Sequence, residues 1–79
     1  MKQILTILLL TGALQANDLV KGMDALEVGN FEKAIEFFKK SAESGNKMAQ
    51  HNLSVMYNNG YGVEKDDKIV AYWINEALN

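Results

Sequence analysis

The chain has 79 residues, 48% of them hydrophobic, and eight basic against ten acidic side chains give a formal charge of −2. Every basic residue is a lysine, and this weakly acidic chain without arginine lacks the basic face that nucleic acid or anionic lipid requires. No cysteine occurs, which excludes disulfides, thiolate metal sites and an acylated cysteine anchor.

The first sixteen residues have the pattern of a secretory signal peptide. Lys2 supplies the positive charge, residues 4–14 are mostly apolar, and Leu14-Gln15-Ala16 ends on a small residue suited to cleavage. The apolar stretch covers eleven residues, whereas a helix needs about 20 to span a bilayer. We expect an exported protein, periplasmic or secreted, with no stable membrane span after cleavage. A retained membrane anchor is the alternative.

Cleavage would leave 63 residues with a formal charge of −3, and this part contains no proline. Its apolar residues recur with helical spacing. The first predicted helix runs from about Asp18 to Val28, with Asn17 or Asp18 as its cap. The second runs from about Phe31 to Ser44. The apolar stripes are Leu19, Met23 and Leu26 in the first helix, and Phe31, Ala34, Ile35, Phe38 and Ala42 in the second, with Phe37 at the margin.

Gly29-Asn30 and Gly45-Asn46 are the predicted turns after these two helices. The third helix is predicted from about Lys47 to Asn58, and the fourth from Asp66 or Asp67, as its cap, to the C-terminus. Between them, glycines 60 and 62 permit positive φ, and Val63 is expected to return the loop to the core. The predicted buried faces are Ala49, Leu53, Met56 and Tyr57 in the third helix, and Val70, Trp73, Ile74 and Ala77 in the fourth.

The second and fourth helices have related patterns, 36 residues apart. The matching sets are Ala34, Phe37, Phe38, Ser41 and Ala42, and Val70, Trp73, Ile74, Ala77 and Leu78. This period is typical of helical hairpin repeats, near the 34 of the tetratricopeptide repeat. We predict an all-α fold of two antiparallel hairpins, residues 17–46 and 47–79, after the signal peptide at 1–16.

The second hairpin resembles a unit of the Sel-one-like repeat, a relative of the tetratricopeptide repeat. The residues that carry this resemblance are Ala49, Leu53, Tyr57, Gly60, Gly62, Val63, Asp66, Trp73 and Ala77. The first hairpin resembles a tetratricopeptide unit through Gly22, Ala34 and Gly29-Asn30-Phe31. Ser54 departs from the family pattern, which has glycine there. The resemblance implies an α-solenoid fragment that mediates protein–protein interaction as an adaptor or scaffold, with no cofactor and no chemistry of its own.

In the tetratricopeptide family, the concave groove formed by the first helix of each hairpin takes peptides. The resemblance implies the same use here, on a mixed polar surface without an arginine clamp. The expected outward residues of the first and third helices are Lys21, Asp24, Glu27, Gln50, His51, Ser54 and Asn58. Among them, Gln50, Ser54 and Asn58 are the predicted ligand contacts.

The fourth helix carries more apolar residues than one buried stripe needs, namely Ile69, Tyr72 and Leu78. Repeat arrays usually have at least three units and a polar outer face on the last. We therefore expect an open C-terminal end that a protein partner or a second copy covers. The alternatives are a patch that stays small and uncovered, and a remnant of a longer array without a partner.

Ser44-Gly45-Asn46-Lys47 matches the Ser-x-x-Lys of penicillin-recognising enzymes. Some cysteine-rich secreted relatives of this repeat family are described as penicillin-binding, weak β-lactamases, so the resemblance implies a secreted β-lactamase or penicillin-binding activity as the alternative function. That chemistry needs both residues on one helical face, further sequence elements and an oxyanion hole. Here the motif straddles a predicted turn and those elements do not occur. We assign no catalytic residue, and the single histidine, His51, predicts no metal site.

Overall fold

The computed structural model describes residues 17–79. This part of the chain forms four helices and no strand: α1, helical from residue 17 to 27; α2, Phe31–Glu43; α3, Lys47–Asn59; and α4, Asp67–Leu78. The predicted all-α fold is confirmed. Because residue 17 is already helical, the predicted cap of α1 by Asn17 or Asp18 is wrong. The predicted signal peptide lies outside the described residues.

Two Gly-Asn pairs make the short connections on either side of α2. Gly29 and Gly45 have φ of 79° and 98°, in the left-handed region that glycine adopts without a Cβ penalty. The next residue then caps the following helix: Asn30 Oδ1 accepts from the Lys33 N–H at 3.3 Å, and Asn46 Oδ1 accepts from the Ala49 N–H at 2.9 Å. Each pair therefore ends one helix and starts the next.

The loop between α3 and α4 contacts the first hairpin. Gly62 has φ of 73°, and a Cβ there would lie 2.7 Å from Phe31 Cβ and 2.9 Å from its carbonyl carbon. Tyr61 stacks on the Phe31 ring with centroids 5.1 Å apart, and Val63 packs against the core as predicted. Asp66 caps α4, accepting from the N–H groups of residues 68 and 69 at 3.0 and 3.2 Å. The glycine loop thus fastens the second hairpin to the start of α2.

The core lies where α3 packs between α2 and α4. Its buried apolar residues are Ala34, Ile35, Phe38, Ala42, Ala49, Leu53, Met56 and Trp73. Two residues of the predicted stripes, Met23 and Ile74, are instead 45% exposed. They lie at the margins of their stripes, where no neighbouring helix of residues 17–79 covers them. None of the helices in this range is long and apolar enough to cross a membrane.

Candidate functional site

The exposed side of α3 stands between two grooves. The α1–α3 groove has a volume of about 540 Å³ and is lined mainly by Val20, Met23, Asp24, Leu26, Glu27 and Met48. The α3–α4 groove has a volume of about 400 Å³ and is lined by His51, Ser54, Val55, Asn58, Val70 and Ile74. Both grooves combine apolar walls with a few polar groups, as binding clefts generally do.

The three predicted ligand contacts have different environments. Gln50 and Ser54 are both buried, each only 4% exposed. The Gln50 Nε2 donates to the Ala42 carbonyl at 3.0 Å, and the Ser54 hydroxyl donates to the His51 carbonyl at 2.6 Å. Their expected outward position is wrong, because both lie beside the buried stripe of α3. Asn58 is exposed in the α3–α4 groove, and ligand contact by these residues stays a prediction.

The exposed apolar residues of α4 lie on two flanks of the helix. At 100° per residue, Tyr72 and Leu78 are about 120° apart. Tyr72 is 55% exposed and packs edge-on against the buried Trp73, with centroids 4.8 Å apart. Ile74 and Leu78, which is 82% exposed, share the other flank with Val70. The expected apolar excess is therefore divided, and only the Ile74–Leu78 flank borders the α3–α4 groove.

The Sel1 repeat model matches residues 20–46 and 47–77, which together make up most of the chain. The chain belongs to the Sel1 repeat family. Sel1 repeats are helical, tetratricopeptide-like units that serve as protein-interaction modules and are not typically catalytic. The match extends to the first hairpin, which by its sequence resembles a tetratricopeptide unit. No curated protein and no solved structure matches the chain significantly.

The motif residues of the second Sel1 repeat support packing and turns. Ala49, Leu53 and Trp73 are buried, while Tyr57 and Val63 are half-buried against the core. Gly60 and Gly62 have positive φ. Asp66 caps α4, and Ala77 is half-buried in the last turn of that helix. The signature of this repeat therefore builds the helical scaffold.

Serine and lysine of the Ser-x-x-Lys match make separate contacts. Ser44 is the C-terminal cap of α2, and its hydroxyl donates to the Lys40 carbonyl at 3.1 Å. Lys47 begins α3, and its Nζ donates to the Glu76 carbonyl at 2.6 Å. The two residues therefore lie on different helices and are held by different partners. Within residues 17–79 no group of three or more acidic or histidine side chains could hold a metal ion.

Sequence reasoning missed the apolar residues that face solvent along α3. Met48 is 57% exposed and Val55 is 39% exposed, and both line grooves. The two lie seven residues apart, on one side of the helix and away from the buried stripe at Ala49 and Leu53. The seven-residue spacing of Met48 and Val55 is the sequence signal that could have indicated a second, weaker apolar side of α3. Phe37, predicted at the margin of the α2 stripe, is half-buried, and the Nζ atoms of Lys21, Lys33 and Lys40 lie 5.6, 6.0 and 5.8 Å from its ring centroid.

Proposed function

We propose that this Sel1 repeat protein is an exported adaptor that binds a protein partner through α4 and the adjoining α3–α4 groove, without chemistry of its own. The observation that carries the proposal is the exposure of Ile74 and Leu78 beside a groove that Val55 and Val70 also line. Burying one such side chain against a partner is worth about 1.5–3 kcal/mol. A small number of these contacts is enough for specific binding if the shapes match.

The polar residues that line this groove are one amide, one hydroxyl and one imidazole, and they form no clamp of fixed charges. His51 and Asn58 are exposed at the edge of the α3–α4 groove, whereas Ser54 forms part of its floor. In this proposal Asn58 contacts the partner directly, and Gln50 stabilises the position of α3 through its hydrogen bond to the Ala42 carbonyl. Uncharged groups around an apolar centre favour recognition by shape and a few hydrogen bonds over electrostatic steering.

Export rests on the sequence of residues 1–16 alone. The positive residue, the short apolar stretch and Ala16 together favour secretion followed by cleavage. Mass spectrometry of the protein isolated from its native host tests this part of the proposal. We expect a mature chain that begins at Asn17 in the envelope or the medium. An intact chain recovered from the cytoplasm would contradict it.

Site-specific photo-cross-linking in the native host tests binding through α4. A photoreactive phenylalanine derivative replaces Leu78 in one variant and Val28 in a control variant. Val28 is 80% exposed and lies after α1 in the first hairpin, so the two positions are matched in exposure and in apolar character. We expect a discrete protein adduct from position 78 and none from position 28.

The adduct also identifies the kind of partner. An adduct at twice the mass of the chain would identify the partner as a second copy, and any other discrete mass as a different protein. Equal adduct patterns from positions 78 and 28 would mean that α4 is not a binding surface.

A further inference from the structure

The two repeats can be aligned helix by helix. Equivalent residues of α2 and α4 are 36 positions apart. The connection between α3 and α4, residues 60–66, is four residues longer than the connection between α1 and α2, residues 28–30. Equivalent residues of α1 and α3 are therefore 32 positions apart. The residues that line the α3–α4 groove are His51, Ser54, Val55, Asn58, Val70 and Ile74. Their equivalents are Leu19, Gly22, Met23, Leu26, Ala34 and Phe38. The structure supports this alignment, because the equivalent pairs are neighbours in both repeats. A Cβ on Gly22 would lie 2.6 Å from the Phe38 ring, and their equivalents Ser54 and Ile74 line the same groove.

Equivalent residues of α2 and α4 differ sharply in burial. Phe38 is fully buried and Ala42 is 2% exposed. The Phe38 ring lies against Gly22 of α1, and α3 packs on α2, where Gln50 Nε2 donates to the Ala42 carbonyl. Their equivalents, Ile74 and Leu78, are 45% and 82% exposed. Both pairs are apolar. Within residues 17–79 no helix lies on α4 as α3 lies on α2.

We infer that the α3–α4 groove is the seat of an amphipathic α-helix from a partner protein, which packs on α4 in the way that α3 packs on α2. This inference rests on the proposed function and specifies its partner. The template is α3 itself, whose buried apolar residues are Ala49, Leu53 and Met56 at i, i+4 and i+7. The partner helix carries a small residue, a leucine and a residue of methionine size at this spacing.

A second copy stacked head to tail does not fit this seat. Its α1 would take the place of α3, and the residues 32 positions before Ala49, Gln50, Leu53 and Met56 are Asn17, Asp18, Lys21 and Asp24. Lys21 and Asp24 are exposed in the structure. Burying them in an apolar groove without partners would be strongly unfavourable. These charges argue against head-to-tail stacking of copies through α1, and we assign the groove to a helix of another protein.

The inference is tested with a peptide that copies α3, residues 47–59. A free helix of this length is marginal in water, so a side-chain cross-link between positions 51 and 55, both exposed in the chain, holds it helical. Fluorescence anisotropy measures its binding to the purified full chain. We expect saturable 1:1 binding, and at least about tenfold weaker binding when the peptide carries Leu53→Lys, because a buried leucine contributes about 1.5–3 kcal/mol.

Variants of the full chain locate the binding site. Ile74→Lys and Val55→Lys each place a charge in the groove at positions already partly exposed, and each should weaken peptide binding by about tenfold or more. Val28→Lys and Tyr72→Lys make matched changes away from the groove and should leave binding within about twofold. Circular dichroism of every variant verifies that the helices form.

Three outcomes would contradict binding of a partner helix in the α3–α4 groove. The first is a cross-linked peptide that is helical but does not bind, and the second is binding that Ile74→Lys and Val55→Lys leave unchanged. The third is sedimentation showing copies that pair through this groove. If cross-linking at position 78 still yields an adduct with a different protein, the proposed function stands and only the seat fails. If the peptide binds but cross-linking at position 78 gives no adduct, the groove accepts a helix of this pattern, but no partner protein occupies it in the host and the proposed function fails.

Discussion

Within residues 17–79, the first repeat is covered by its neighbour, whereas the second is not. On α2, Phe38 and Ala42 are buried in the core, with Gly22 of α1 against the Phe38 ring and α3 packed on the helix. On α4, the equivalent Ile74 and Leu78 face solvent although the residue class is unchanged. Stability in stacked repeats comes from each unit and from its contact with the next. The apolar pattern of a repeat helix therefore reflects a packing contact, and in our proposal the contact on α4 is made with another molecule.

Truncating the two equivalent residues, Phe38 and Ile74, gives the largest expected difference in stability between the two repeats. Phe38→Ala removes a fully buried ring and should lower the free energy of unfolding of the full chain by about 3–5 kcal/mol. Ile74→Ala removes a side chain that is 45% exposed and should cost about 1 kcal/mol or less. Urea unfolding followed by circular dichroism measures both. Similar losses for the two variants would show that α4 is as well covered as α2.

The glycines of the two hairpin connections offer a second, smaller contrast. Gly62→Ala forces a methyl group against Phe31 at a positive φ and should lower the free energy of unfolding by about 2–4 kcal/mol. Gly29→Ala is the control, since φ is also positive but no atom lies within 4 Å of the added Cβ. It should cost about 1–2 kcal/mol. Equal losses in urea unfolding would mean that the loop is not tightly fastened to α2.

The smallest expected effect concerns Ser41, whose second-repeat equivalent is Ala77. The Ser41 hydroxyl is buried and has no hydrogen-bond partner among the residues that the structure describes. Ser41→Ala should therefore leave the free energy of unfolding unchanged or raise it by about 1 kcal/mol at most. Thermal unfolding measures this as an unchanged or higher melting temperature. Ser44→Ala, which removes an exposed hydroxyl that donates to the Lys40 carbonyl, should be neutral or slightly destabilising. Clear destabilisation by Ser41→Ala would indicate a partner for its hydroxyl.

Local features of the fold were predictable from the sequence because their causes are local. Helix ends follow from Gly-Asn pairs, where glycine adopts positive φ and asparagine caps the next helix. The cap at Asp66 and the return of Val63 to the core follow from the same chemistry. The 36-residue spacing predicted two related hairpins, and the family match confirms two repeats.

Only the tertiary structure decided which side of each helix is covered. Periodicity identifies an apolar stripe, but its width depends on the helices that pack beside it, which is why Met23 and Ile74 are exposed while Gln50 and Ser54 are buried. The contact of Gly62 with Phe31 likewise joins residues far apart in sequence. The helices, the cap of α4 at Asp66 and the repeat follow from local sequence patterns. The packing of α3 between α2 and α4 determined the groove, because burial depends on neighbours that no local pattern specifies.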